Sequence, residues 1–193
     1  MVEPDESDHD PEVQLPQFQA SYDWALTEGL DWNLRGVYQT YDLEGGDGDS
    51  LDAWAVASNL RISEILEPLY LNLAGWYGEN AHDFGNVFFD VEQSAEIDNG
   101  VVVDDTETYA FACIVGGYIN NIRLEAGAGY IESDNDDWND EVDTMAFYAQ
   151  ANIPLNEEGT FMVTPEIGHY DYGDDNDGDG DTTYFGLQTR VDF

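Results

Sequence analysis

The chain contains no lysine, and its whole basic complement is four arginines against 43 acidic residues. A formal charge of −39 argues against nucleic-acid binding, because phosphate contacts need Lys and Arg in number. It argues equally against docking on an anionic lipid surface through a basic patch. A single cysteine, Cys113, rules out an internal disulfide and a zinc site built on several thiolates. No run of eighteen or more apolar residues occurs, so no transmembrane helix is expected. That absence leaves a barrel open, since barrel strands alternate and score as hydrophilic. Met1–Pro11 is acidic and lacks the apolar stretch of a signal peptide. An exported chain with this start reads as a mature form or a fragment. His9, His82 and His169 have no metal-ligand spacing. Nucleophile-elbow, phosphate-loop and paired Cys/His motifs are missing, so nothing points to an enzyme or to a bound cofactor.

What the chain does have is aromatics, at 13%, too many for an acidic disordered tail. From about Gln17 the dominant pattern has period two. Nine runs stand out, at 16–26, 30–41, 51–62, 69–77, 107–119, 122–132, 143–155, 160–172 and 182–193. Most exceed the roughly 5–6 residues of a soluble strand and match the about 9–11 residues that a bilayer-spanning strand needs. In seven of the runs one face reads without charge, as in Leu69, Leu71, Leu73, Gly75 and Tyr77, or Tyr109, Phe111, Cys113, Val115, Gly117 and Ile119. The opposite face carries Gln, Asn, Asp, Glu and every arginine. A soluble β-sandwich or barrel from a high-salt habitat would also alternate, with the apolar face inward.

The connections favour the membrane reading. Short ones (Thr27–Gly29, Ser63–Pro68, Asn120–Asn121, Asn156–Gly159) alternate with long ones (Asp42–Ser50, Gly78–Thr106, Ser133–Asp143, Gly173–Asp181). That rhythm is expected of an antiparallel up-and-down transmembrane β-barrel with short inner turns and long outer loops. The long loops concentrate acid, and Tyr38, Trp54, Tyr77, Tyr109, Tyr130 and Tyr172 read as an interfacial girdle beneath them. The expected organisation is an acidic disordered tail at 1–15 followed by an all-β domain at 16–193.

The last run, Tyr184-Phe-Gly-Leu-Gln-Thr-Arg-Val-Asp-Phe193, ends on an aromatic residue with apolar residues at alternate positions before it. With the preceding hairpin, Thr164–Tyr172 and its acidic loop, it resembles the closing hairpin of Gram-negative general porins. The resemblance is firm over roughly 107–193 and weaker before. It implies an outer-membrane location, the lipid bilayer as partner, and a barrel-assembly machinery that reads Phe185, Leu187, Val191 and Phe193. It also leaves room for a homo-oligomer. Bacterial barrels of this kind have an even strand number, whereas nine runs are counted here. A complete eight- or ten-stranded barrel and part of a larger one both stay open, the second slightly preferred. Phe84–Glu92 is a candidate extra strand or a folded piece of loop.

Candidate pore-lining residues are Arg35, Arg61, Arg123, Arg190, Glu125, Glu166 and Asp192, all on the charged face. Arginine on the lipid face would cost roughly 2–4 kcal/mol at midplane, so inward placement follows from stability alone. In porins, arginines facing carboxylates set a field across the constriction, and Glu125 and Asp192 are positioned to pair with these arginines. Asp175, Asp177 and Asp179 resemble the first half of a calcium loop, but the twelfth position is Gly186 instead of Glu. Weak divalent-cation binding there competes with a solvated acidic turn. The expected function is passive diffusion of small hydrophilic solutes or ions with a cation preference. The alternatives are a small plugged barrel with a structural or adhesive role, and a soluble halophilic β-protein.

Overall fold

The computed structural model of the chain describes residues 12–13, 16–42, 50–63, 67–84, 95–98, 101–135, 142–173 and 180–192. Two residues, β1 (Glu12–Val13), precede a meander of long strands. These are β2 (Phe18–Thr27), β3 (Leu30–Asp42), β4 (Ser50–Ile62) and β5 (Leu69–Glu79). A short hairpin, β6 (Glu96–Asp98) and β7 (Val101–Asp104), interrupts it. The meander resumes with β8 (Glu107–Ile119), β9 (Ile122–Asp134), β10 (Val142–Pro154), β11 (Phe161–Asp171) and β12 (Thr182–Val191). Each long strand pairs antiparallel with its neighbour in sequence, and β8 takes its place beside β5 across the inserted hairpin.

The turns are built for this. Glu28–Gly29 joins β2 to β3 with Gly29 at φ 73°, a conformation that costs a glycine little. Asn120, at φ 56°, makes the same left-handed turn between β8 and β9, one of the few other residues that tolerates it. β1 lies beside β3, with Glu12 opposite Asp42 and Val13 opposite Tyr41, so it prolongs the edge that β2 occupies.

All nine long strands belong to one sheet, and among the described residues no second large sheet packs on it. A two-sheet sandwich is therefore not the arrangement. Nor does the sheet close into a barrel: β2 and β12 pair on one side only. With nine antiparallel strands the two edges run the same way, from the long-loop end to the short-turn end, so they could meet only as a parallel pair.

The register gives each face a separate chemistry. Leu60, Leu73, Cys113, Ala128 and Phe147 follow one another across β4, β5, β8, β9 and β10. This apolar face is open to its surroundings: Phe111 is 57% exposed, Leu187 71% and Phe185 80%. From Tyr109 to Ile119 the apolar band of β8 runs roughly 33 Å at about 3.3 Å per residue. Acid appears on this face only at the long-loop end, where Glu79 stands opposite Glu107 and Glu107 opposite Asp134. Aromatics line up just below, with Trp54 packed on Tyr77 and Tyr130 against both Tyr109 and Phe111. Two tyrosine hydroxyls at this end reach the acid: Tyr38 donates to Asp52 at 2.8 Å, and Tyr130 donates to Glu132. Tyr172 departs from the expected girdle. It stacks on Tyr170, which register assigns to the polar face beside Ala146.

Candidate functional site: the polar face

Across the nine long strands, the polar face carries four carboxylates (Asp23, Asp31, Glu125 and Glu166) and the chain's four arginines. Its formal charge therefore balances, and the acidic excess of the chain lies elsewhere. Arg35 sits between Ser21 and Ala57, Arg61 between Asp31 and Asn72, Arg123 between Tyr118 and Asn152, and Arg190 opposite Met162. No two arginines are cross-strand neighbours.

The expected pairing with carboxylates is met once. Arg190 Nε lies 2.9 Å from Asp192 Oδ1, both side chains well exposed, a geometry that contributes at most about 1 kcal/mol. Among the described residues Arg35, Arg61 and Arg123 have no carboxylate within 4 Å. Glu125 does not pair with Arg123, two residues along β9; its carboxylate is taken up by donors from the strands on either side. Tyr148 donates to Glu125 at 2.9 Å and Gln150 at 2.7 Å, and Tyr70 donates from the other side. Arg123 instead meets Asn152. Oriented to suit both its neighbours, the Asn152 amide accepts from Arg123 Nε at 3.3 Å and Nη2 at 3.2 Å and donates to Thr164 at 3.0 Å. Glu166 repeats the tyrosine pattern, accepting from Tyr184 at 2.7 Å.

Three of these tyrosines share a construction. Tyr70 lies over Gly116, Tyr148 over Gly127 and Tyr184 over Gly168, each glycine being the cross-strand partner. A side chain on any of these glycines would occupy the tyrosine ring's space. The ring lies flat across the neighbouring strand, and its hydroxyl thereby reaches a carboxylate. Tyr70 is the most constrained, 8% exposed and held by Glu125. Gly116→Ala is therefore expected to lower stability by about 1–3 kcal/mol through overpacking, read from urea unfolding.

Nearer the long-loop end the face is lined by small side chains. A hollow of about 420 Å³ extends from Asp23 of β2 to Gly129 of β9, floored by Ala57, Ala74, Ala110 and Ala112. Arg35, Asn33, Asn59 and Trp76 also line it. A second, of about 530 Å³, opens at the short-turn end beside Arg61, Ser63, Tyr70 and Tyr118. Above the first hollow the face is covered. The helical turn Ala81–Phe84 packs on β4, where Ala53 and Ala55 are buried. Asn80 ties that crossing down, donating to the Asp52 carbonyl at 3.0 Å and to Asp105 at 2.7 Å. Thr108 and Ser133, both fully buried, share a 2.8 Å hydrogen bond.

No family model, curated protein or solved structure matches this chain. Function has to be argued from the two faces themselves. Among the described residues no three His, Cys, Asp or Glu side chains converge as a metal site. Asp175, Asp177 and Asp179 lie outside the described residues, as does Phe193 of the terminal pattern. Its companions Phe185, Leu187 and Val191 all stand on the apolar face of β12, 51–80% exposed. Charge on a period-two face pointed to the arginines and carboxylates. The tyrosines escaped notice because their role depends on a glycine in the next strand, and that needs register.

Proposed function

We propose that the chain forms the wall of an outer-membrane β-barrel channel that passes small hydrophilic solutes and ions by diffusion. The observation that carries this reading is the exposed apolar face, charge-free along the strands and ending at an acidic rim. In water, so large an apolar surface would be a liability; in a bilayer it is the surface the solvent asks for. Lipid then covers the apolar face, and the polar face lines an aqueous path. Sheet edges left unpaired have no place in hydrocarbon, so in the membrane the edges of β2 and β12 are paired. The exposed alternation of Phe185, Leu187 and Val191 suits recognition by the machinery that inserts such barrels.

Carboxylates concentrated at the long-loop rim raise the local cation concentration, while the balanced polar face adds no strong sign of its own. In planar bilayers with a salt gradient, the purified protein is expected to conduct with a modestly cation-selective reversal potential. An anion-selective potential would refute the charge argument. A second reading is a plugged barrel that uses its acidic loops for surface binding. The side-chain network around Glu125 favours it, since side chains fill the interior of small barrels. Stable insertion without conductance would decide for that reading. A chain that folds as a monomer in high salt without detergent would exclude both and restore the soluble alternative.

A further inference from the structure

We infer that the hollow over Ala57, Ala74 and Ala112 binds a neutral polyhydroxylated solute, a sugar of one or two rings. The inference rests on the channel reading and names a solute class for it. Its volume, about 420 Å³, lies within the range of small-ligand pockets. The alanine floor is the reason the space exists, since any larger residue on these adjacent strands would fill it.

The polar groups at its wall select the ligand. Asp23 brings one negative charge and Arg35 one positive, and no ion pair within 4 Å joins them. A net charge on the ligand would meet an opposing like charge, so a neutral molecule fits best. Asn33 donates to Asp23 at 2.5 Å, which fixes the carboxylate while leaving lone pairs for a further donor. Asn59 offers both a donor and an acceptor. A sugar hydroxyl also donates and accepts, so one ligand group can satisfy a carboxylate, a guanidinium and an amide together. Trp76 supplies the complementary apolar wall, against which the C–H face of a pyranose ring packs. A zwitterionic amino acid would also use Asp23 and Arg35 but would leave the indole and the amides with little to do.

The test is calorimetric titration of the full chain, folded in detergent micelles, with maltose and, separately, with glycine. Maltose is expected to bind in the millimolar range and more tightly than glycine. Trp76→Ala is expected to weaken maltose binding about tenfold, and Asn59→Ala severalfold. Trp76→Phe keeps an aromatic wall and should retain most of the affinity, which separates lost binding from lost folding. Gln188→Ala, on the opposite edge, should leave it unchanged. No heat of maltose binding, equal binding by Trp76→Ala, or tighter binding of glycine would overturn the inference. A protein that conducts but does not bind maltose loses only this inference. One that binds maltose but does not conduct loses only the channel reading.

Discussion

If the proposed membrane setting holds, replacing Leu73 by arginine is expected to destabilise the folded protein by about 2–4 kcal/mol, the cost of a guanidinium near the middle of a strand that faces lipid. Leu73 is the residue to use. It lies in β5, with Leu60 on one side and Cys113 on the other, and it is 40% exposed. No charged neighbour on its face is close enough in register to receive the new cation. If the surroundings of this face were water, the same substitution would be a surface change worth within about 0.5 kcal/mol. The two solvents therefore predict outcomes several-fold apart for the same fold. Asn72→Arg, one residue along on the polar face between Arg61 and Ile114, supplies the control. It adds the same side chain to the polar face, where standing opposite Arg61 costs about 0.2–1 kcal/mol, so its effect should stay below that of Leu73→Arg. Urea unfolding in micelles or lipid vesicles, followed by tryptophan fluorescence, measures both. Equal, small effects for the two variants would remove the basis for the membrane reading.

The faces that make this contrast were legible because period two needs no knowledge of neighbours. Alternation in a run such as Leu69–Tyr77 assigns inside and outside one strand at a time. The short connections helped, since Thr27–Gly29 and Asn120–Asn121 read as reversals that the backbone then makes. Features that depend on pairing were out of reach. The β6–β7 hairpin lies inside what read as one long loop, because three- and four-residue strands leave no periodic signal. Tyr172 looked like a girdle residue from its position near a strand end. Its side follows instead from Tyr170, and that from the register with Ala146. The hollow was equally invisible. Ala57, Ala74 and Ala112 are scattered over 56 positions of sequence, and only the ladder sets Ala74 opposite Ala112 and Ala57 one diagonal step away. The odd strand count, by contrast, was legible: nine alternating runs already put the first and last strands in the same direction.

The same dependence on register makes Glu125 the residue whose loss should be felt most on the polar face. Its carboxylate accepts from Tyr70, Tyr148 and Gln150, which arrive from β5 and β10 on either side of β9. Glu125→Leu keeps a side chain of comparable bulk but offers no acceptor. Two phenol hydroxyls and one amide would lose their partner at once. A part-buried donor left without one costs about 1–3 kcal/mol, and water in the adjacent space recovers a share of it. A loss of about 3 kcal/mol is the expected total, well above that of removing one partner alone. Glu125→Gln retains one acceptor oxygen and should cost less than half as much. Tyr148→Phe removes a single donor and should cost about 1 kcal/mol. Combining Glu125→Leu with Tyr148→Phe then becomes informative. If the carboxylate acts as one shared acceptor, the double variant should be little worse than Glu125→Leu alone. Strict additivity would mean that Tyr148 is held by its packing over Gly127 and that the hydrogen bond to Glu125 adds nothing to stability.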